Sequence, residues 1–292
     1  MNDPVLNNPA LNNLVLNNLA LNDLVLAPTT IPDAAPLAYV EAAAEAGYRH
    51  VGLRFNRSPG LPFQPVVGNA ALAKAMKSTL SSAGLSVLDI YSFYLEPDTD
   101  VDAFKPAIEL GAEFGAQYLV TMGADTEWSR QRDNFVRICE IAAGHGLVCI
   151  LEPAVIRPLA SLAQAQRLVG EAGCSNAAIC VDPLNFSRAG DRAADLRGID
   201  ARLFPYAQIT DGIIGPDEPN PALLGRMGPN QRCLLGEGMV PLDDILDALP
   251  RGLPLSIELP PIDRTIGPAQ WAKLVLEDAQ RYLGRYYARK QQ

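Results

Sequence analysis

From Ala34 onward, short apolar runs alternate with longer amphipathic ones, and most of the longer runs close on a glycine. Leu37–Ala46 with Gly47 precedes the run Val51–Phe55, and Ala70–Ala83 with Gly84 precedes Leu85–Tyr91. Phe104–Phe114 with Gly115 leads to Tyr118–Met122, and Asn134–Ala143 with Gly144 leads to Leu147–Leu151. Leu162–Glu171 with Gly173 leads to Ala178–Val181. A helix, a glycine able to take the left-handed conformation, and then a strand form the second half of a β–α–β unit. Leu24–Ala27, Leu203–Ile209 and Leu255–Leu259 supply the remaining strands, and Pro268–Tyr287 reads as the last helix. Eight such strands fit a single (β/α)8 TIM barrel, an architecture of about 250 residues. A doubly wound open sheet would show a glycine-rich phosphate turn after its first strand. Pro28-Thr29-Thr30 stands there instead.

The amino-terminal residues repeat with a period of five: PVLNN, PALNN, LVLNN, LALND. A solenoid needs several stacked coils to bury a core, which so short a stretch cannot supply. The predicted organisation is therefore a repetitive N-terminal arm over 1–23 and one barrel over 24–292. The last copy of the repeat becomes the first strand.

Composition narrows the partners. A chain that is 48% hydrophobic and 20% charged can build a large core. Its net charge of -9 lacks the basic footprint that nucleic acid or an anionic membrane surface requires. No run approaches the roughly 20 apolar residues of a membrane span, and the amino terminus lacks the basic-then-apolar layout of a signal peptide. The five cysteines form no C-x-x-C pair, so reduced thiols and a cytoplasmic location are expected.

Barrel enzymes work at the carboxyl ends of their strands. There Glu152 ends CILEP, Asp182 ends ICVDP, Gln208 lies in YAQITD and Glu258 ends LSIELP. A carboxylate closing a buried apolar run is costly unless something compensates it. Acids converging on one rim repel, and a divalent cation relieves the repulsion. Oxygen-rich ligands suit Mn, Mg or a similar ion. The competing arrangement pairs each acid privately with an arginine such as Arg54, Arg157 or Arg188. Asp211 is placed to support Gln208. The Pro- and Gly-rich stretch Ile213–Arg232 is predicted to cover the substrate, and Tyr91, Phe93 and Tyr94 either add apolar cover or pack internally.

EAAAEAGYRHVGLR at 41–54, LEP at 151–153, DPLNFSRAG at 182–190, YAQITDG at 206–212, GEG at 236–238 and SIELP at 256–260 together resemble the xylose isomerase-like barrel superfamily of sugar isomerases, epimerases and related lyases. The resemblance implies one divalent ion (Mn, Mg or Co) on Glu152, Asp182, Gln208 and Glu258, with Glu152 and Glu258 exchanging the substrate proton. It places Arg54, Arg157, Asn185, Arg188 and Glu237 around the substrate, Glu237 in a supporting role. Gln208 stands where the usual ligand is His, as in the Q-x-x-D setting of the branch resembling 3-dehydroshikimate dehydratases. The usual D-x-x-H is Asp182-Pro-Leu-Asn185 here, so Asn185 replaces a substrate-touching His.

The implied activity is isomerisation or epimerisation of a sugar-like polyhydroxy ketone by a homo-oligomer. One alternative is dehydration of a cyclic hydroxyketo acid such as 3-dehydroshikimate, with Arg157 or Arg188 receiving the carboxylate. The other is a non-catalytic metal- or ligand-binding barrel, because an amide is a weaker ligand than imidazole. The two histidines, His50 and His145, precede strands and lie away from the catalytic rim, which argues against imidazole chemistry.

Overall fold

The computed structural model describes residues 23–215 and 231–290. The repeats before Asp23 and most of the stretch predicted to cover the substrate lie outside the described residues. The strands are β1 (Leu24–Leu26), β2 (His50–Leu53), β3 (Ser86–Leu95), β4 (Tyr118–Gly123), β5 (Val148–Leu151), β6 (Ala177–Ile179), β7 (Ala207–Ile209), β8 (Asp211–Gly212), β9 (Arg232–Cys233) and β10 (Leu255–Ile257). Eight of them form a parallel sheet in the order β6-β5-β4-β3-β2-β1-β10-β7, while β8 and β9 pair antiparallel outside it. The Gln208 N–H donates to the Val181 carbonyl at 3.0 Å between the two outermost strands, and the sheet curls into a TIM barrel.

Helices α1 (Pro36–Ala46), α2 (Ala70–Ala83), α3 (Lys105–Glu113), α4 (Trp128–Gly144), α5 (Leu162–Ala172), α6 (Pro183–Arg188), α7 (Ala193–Leu196), α8 (Leu242–Ala248) and α9 (Pro268–Lys290) surround it. Helix α1 opens on a proline whose missing N–H costs little and stops at Gly47, whose φ of 89° suits a residue without a Cβ. The structure departs from the apolar periodicity in several elements, among them β3, which runs on to Leu95, and two departures come from a carboxylate cap. Helix α4 begins at Trp128 rather than Asn134, since Glu127 receives the N–H groups of Ser129 and Arg130. The run before β7 becomes a 3-10 turn at Ala201–Leu203, since Asp200 receives the Arg202 N–H.

Side chains alternate across each strand. Leu151, Ile179 and Ile209 pack outward against the helices, whereas Ile150, Cys180 and Tyr206 fill the barrel interior with Val25, Leu88 and Val120. Glu152, Asp182 and Gln208 each follow an interior residue by two positions. They therefore face inward one step nearer the mouth. On β10, Leu255 and Ile257 face outward, which turns Ser256 and Glu258 inward. The period of two thus carries all four polar residues to one point.

Candidate metal centre

One oxygen from each of Glu152, Asp182 and Glu258 lies within 4.8 Å of the others, and all three residues are buried. Asp182 Oδ1 caps α6, accepting from the N–H groups of Leu184 and Asn185 at 2.8 and 2.9 Å and from the Thr210 hydroxyl at 2.8 Å. Glu152 Oε2 accepts from the Gln208 amide at 3.2 Å. A guanidinium enters the same cluster: Arg232 Nη2 donates to Asp182 Oδ2 at 2.9 Å and lies 3.4 Å from Glu258 Oε1. Arg232 Nη1 donates to the Glu258 carbonyl at 3.3 Å.

The charges are unevenly satisfied. Burial, reinforced by the charges of Glu258 and Asp182, pushes the Glu152 carboxyl well above its usual range. Burial also raises Glu258, against the opposing pull of Arg232. Asp182 feels the same burial, but Arg232, the Asn185 N–H and the Thr210 hydroxyl outweigh it and hold the carboxyl below its usual range. Arg232 in turn is held charged, because Asp182 and Glu258 overcome the cost of its burial. Asp182 and Arg232 form an ion pair; Glu152 and Glu258 are left as carboxyls that resist ionising.

The private pairing that competes with an ion is thus half realised, and through an arginine other than Arg54, Arg157 or Arg188. Were all three carboxyls ionised, one guanidinium would leave two negative charges, which one divalent cation would balance. Gln208 Oε1 and Glu258 Oε2 are buried without a hydrogen-bond partner. Unmet acceptors in such a place are costly, and they are the hard oxygen donors that a divalent cation of this class takes. The residues present fit a divalent ion.

A cavity of about 630 Å³ opens above the cluster, lined by Glu152, Glu258, Arg232, Tyr91, Tyr94, Asn185, Arg157 and Arg188 among others. Small-molecule sites run from about 300 to 1,000 Å³. Arg54 lies elsewhere: its Nη2 donates to the Pro32 and Pro62 carbonyls at 3.1 and 2.6 Å, and it faces a neighbouring cavity of about 240 Å³. Glu237 is not among the residues lining the large cavity; its charge acts on Asp278 of α9. Asp211 gathers the N–H groups of Gly212, Gly236, Gly238 and Val240 at 2.7–3.2 Å, so it shapes the loop bearing Glu237. A Cβ at position 238 would collide with that carboxylate. His50 bridges Asp23 and Ser86 on the opposite rim, at 3.3 and 2.6 Å, and His145 is exposed beyond α4. Arg232 is the residue that sequence reasoning missed. Its signal is a lone arginine directly before the apolar Cys233-Leu234-Leu235 and the glycine-flanked Glu237.

The family model for xylose isomerase-like TIM barrels matches residues 40–282. No curated protein sequence matches the chain. Among solved structures, the IolI protein with a bound zinc atom superposes with a TM-score of 0.73 at 18% identity, covering 90% of this chain and 98% of that one. The probable 3-DHS dehydratase AsbF, involved in petrobactin synthesis in Bacillus anthracis, gives 0.66 at 16% identity over 87% and 97% of the two chains. A D-allulose 3-epimerase from Methylomonas sp., in complex with D-allulose, gives 0.66 at 15% over 90% and 96%.

Proposed function

The chain belongs to the xylose isomerase-like TIM barrel family, and from that premise we propose that it is a divalent-metal-dependent isomerase or epimerase. In this reading it abstracts the proton next to the carbonyl of a sugar-like polyhydroxy ketone. One observation carries it: three buried carboxyl groups meet an amide at the strand tips, with two oxygens there still unmet.

Glu152, Asp182, Gln208 and Glu258 would hold the ion, be it Mn, Mg or Co. Bound there, the ion would polarise the substrate carbonyl and acidify the neighbouring C–H. Glu152 and Glu258 reach the cluster from different strands, so one takes the proton and the other returns it. Arg232 sits beside both strand tips and offsets negative charge that develops on the substrate oxygen. Asp182 holds Arg232 in place, and Tyr91 and Tyr94 wall the cavity against water.

A second reading shares this first step but expels a β-hydroxyl instead of returning the proton. The Gln208-x-x-Asp211 pattern favours it, in a dehydratase of a cyclic hydroxyketo acid. The test is incubation of the full chain and Mn2+ in deuterated water with a panel of ketoses, inososes and cyclic hydroxyketo acids. Deuterium entering the carbon next to the carbonyl, and lost at least a hundredfold on chelation, is expected. Exchange without water loss marks an isomerase or epimerase, and water loss marks the dehydratase. Exchange indifferent to chelation would sink the metal-dependent reading, and a chain that binds Mn2+ but exchanges nothing is a binding barrel.

A further inference from the structure

Arg232 reaches the acid cluster from a two-residue antiparallel ladder rather than from the main sheet. Gln231, directly before it, has a φ of 57°, and among the described residues no other non-glycine residue has a positive φ. L-residues take that conformation only at a cost. Here the Ile213 N–H secures it by donating to the Gln231 carbonyl at 3.1 Å. The backbone thus accepts strain just where it delivers the arginine, which is only 5% exposed among the carboxyl groups.

The two oxygens of Asp182 have different duties. Oδ1 accepts from the N–H groups of Leu184 and Asn185 and from the Thr210 hydroxyl. Those donors fill its lone pairs and leave nothing for a cation. An ion that draws on Asp182 must therefore use Oδ2. That oxygen is the one Arg232 Nη2 holds at 2.9 Å, and Glu258 Oε1 lies 3.4 Å from the same nitrogen. Two cations on one carboxylate oxygen repel, the more so where water is excluded. Nη1, by contrast, donates to the Glu258 backbone carbonyl and engages no carboxylate.

Resting on the metal-dependent reading above, we propose that Arg232 is the cluster's own counter-cation. It contends with a divalent ion for Asp182 Oδ2 and so holds the affinity for that ion down. Without the ion, the guanidinium keeps the buried acids from standing unpaired and steadies the barrel. The arriving ion takes Oδ2 at the expense of the Nη2 hydrogen bond, while Nη1 and the β8–β9 ladder keep the side chain at the rim. Metal uptake is an exchange of cations rather than the filling of a bare anionic cage.

The experiment measures Mn2+ binding to the full chain by calorimetry at pH 8, where protons compete less for the acids, together with melting in the presence and absence of the ion. Arg232→Met should bind Mn2+ at least about tenfold more tightly than the parent. Stripped of metal, the same variant should melt about 5–10 °C lower, because buried acids lose their partner. Saturating Mn2+ should recover most of that difference. The opposite signs are diagnostic, since a merely damaged site would lose stability and affinity together. Arg264→Gln removes the same charge from the lining of the same cavity and should shift the affinity by less than about twofold. If Arg232→Met does not fold without Mn2+, Arg232→Lys reads the same contrast: its point charge lacks the guanidinium fork, so it should bind Mn2+ more tightly than the parent. An equal gain in Arg264→Gln would overturn the proposal. Mn2+ bound equally by the parent and the position-232 variant, or more weakly by the variant, sinks only this inference. Mn2+ bound by neither sinks the metal-dependent reading with it.

Discussion

The two rims of the barrel treat polar groups in opposite ways. At the amino rim they close on one another: His50 lies between Asp23 and Ser86, and the Asn176 amide donates to the Cys139 and Leu147 carbonyls at 2.9 and 3.1 Å. At the carboxyl rim, Gln208 Oε1, Glu258 Oε2 and Arg157 Nε are buried and left wanting. One end of the same sheet satisfies its polar groups from within the chain, and the other leaves several to be met from outside it.

The sharpest way to break this contrast is at the acids. Glu152→Gln and Glu258→Gln should each lower proton exchange by about a thousandfold. Glu152→Gln should melt no lower than the parent, because it replaces a carboxyl that burial already keeps from ionising. Exchange within tenfold of the parent in either variant contradicts the assignment of base and acid.

A smaller effect lies beneath the cluster. Asp89 is buried in β3, and its Oδ1 is unmatched. Burial raises its carboxyl to about 7, against the hydrogen bond from Tyr206 and with the help of the Glu258 charge. Between about pH 4 and 7 the folded chain therefore keeps a proton that the unfolded chain has released. Stability should fall across that window and stay flat in this respect above it. Asp89→Asn should remove Asp89's share of the fall, on the order of 3 kcal/mol between pH 4.5 and 8, as read by denaturant titration at those two values. Parallel pH profiles for parent and variant would show that Asp89 titrates normally.

The smallest effect tests the satisfied rim. Asn176→Ala should cost about 1–2 kcal/mol, from two carbonyls losing a donor, with exchange kinetics unchanged. A change in rate there would mean that the rims are coupled.

Much of this was legible in the chain. The barrel follows from repeated helix–glycine–strand units, and the convergence of Glu152, Asp182, Gln208 and Glu258 follows from a period of two applied to apolar runs of known direction. Arg232 escaped because β9 is two residues long and lies outside the main sheet. No periodicity can be read over such a length, and its partner β8 is distant in sequence. The direction of Arg54 was not legible because position at a strand end does not fix where a long side chain leans; two proline carbonyls hold it toward the neighbouring cavity. The backbone partners of Asp211 were hidden for a similar reason. The four N–H groups it collects come from Gly212 and from a loop that sequence alone does not fold back onto it.

The short β8–β9 ladder has an evolutionary consequence. Asp211 pairs with Cys233 and Gly212 with Arg232, so the chain leaves and rejoins the barrel at fixed, adjacent points. Whatever is inserted or rewritten between those points, the guanidinium returns to the same address. Selection is free to rewrite the sequence between them while Arg232 keeps its place beside Asp182 and Glu258.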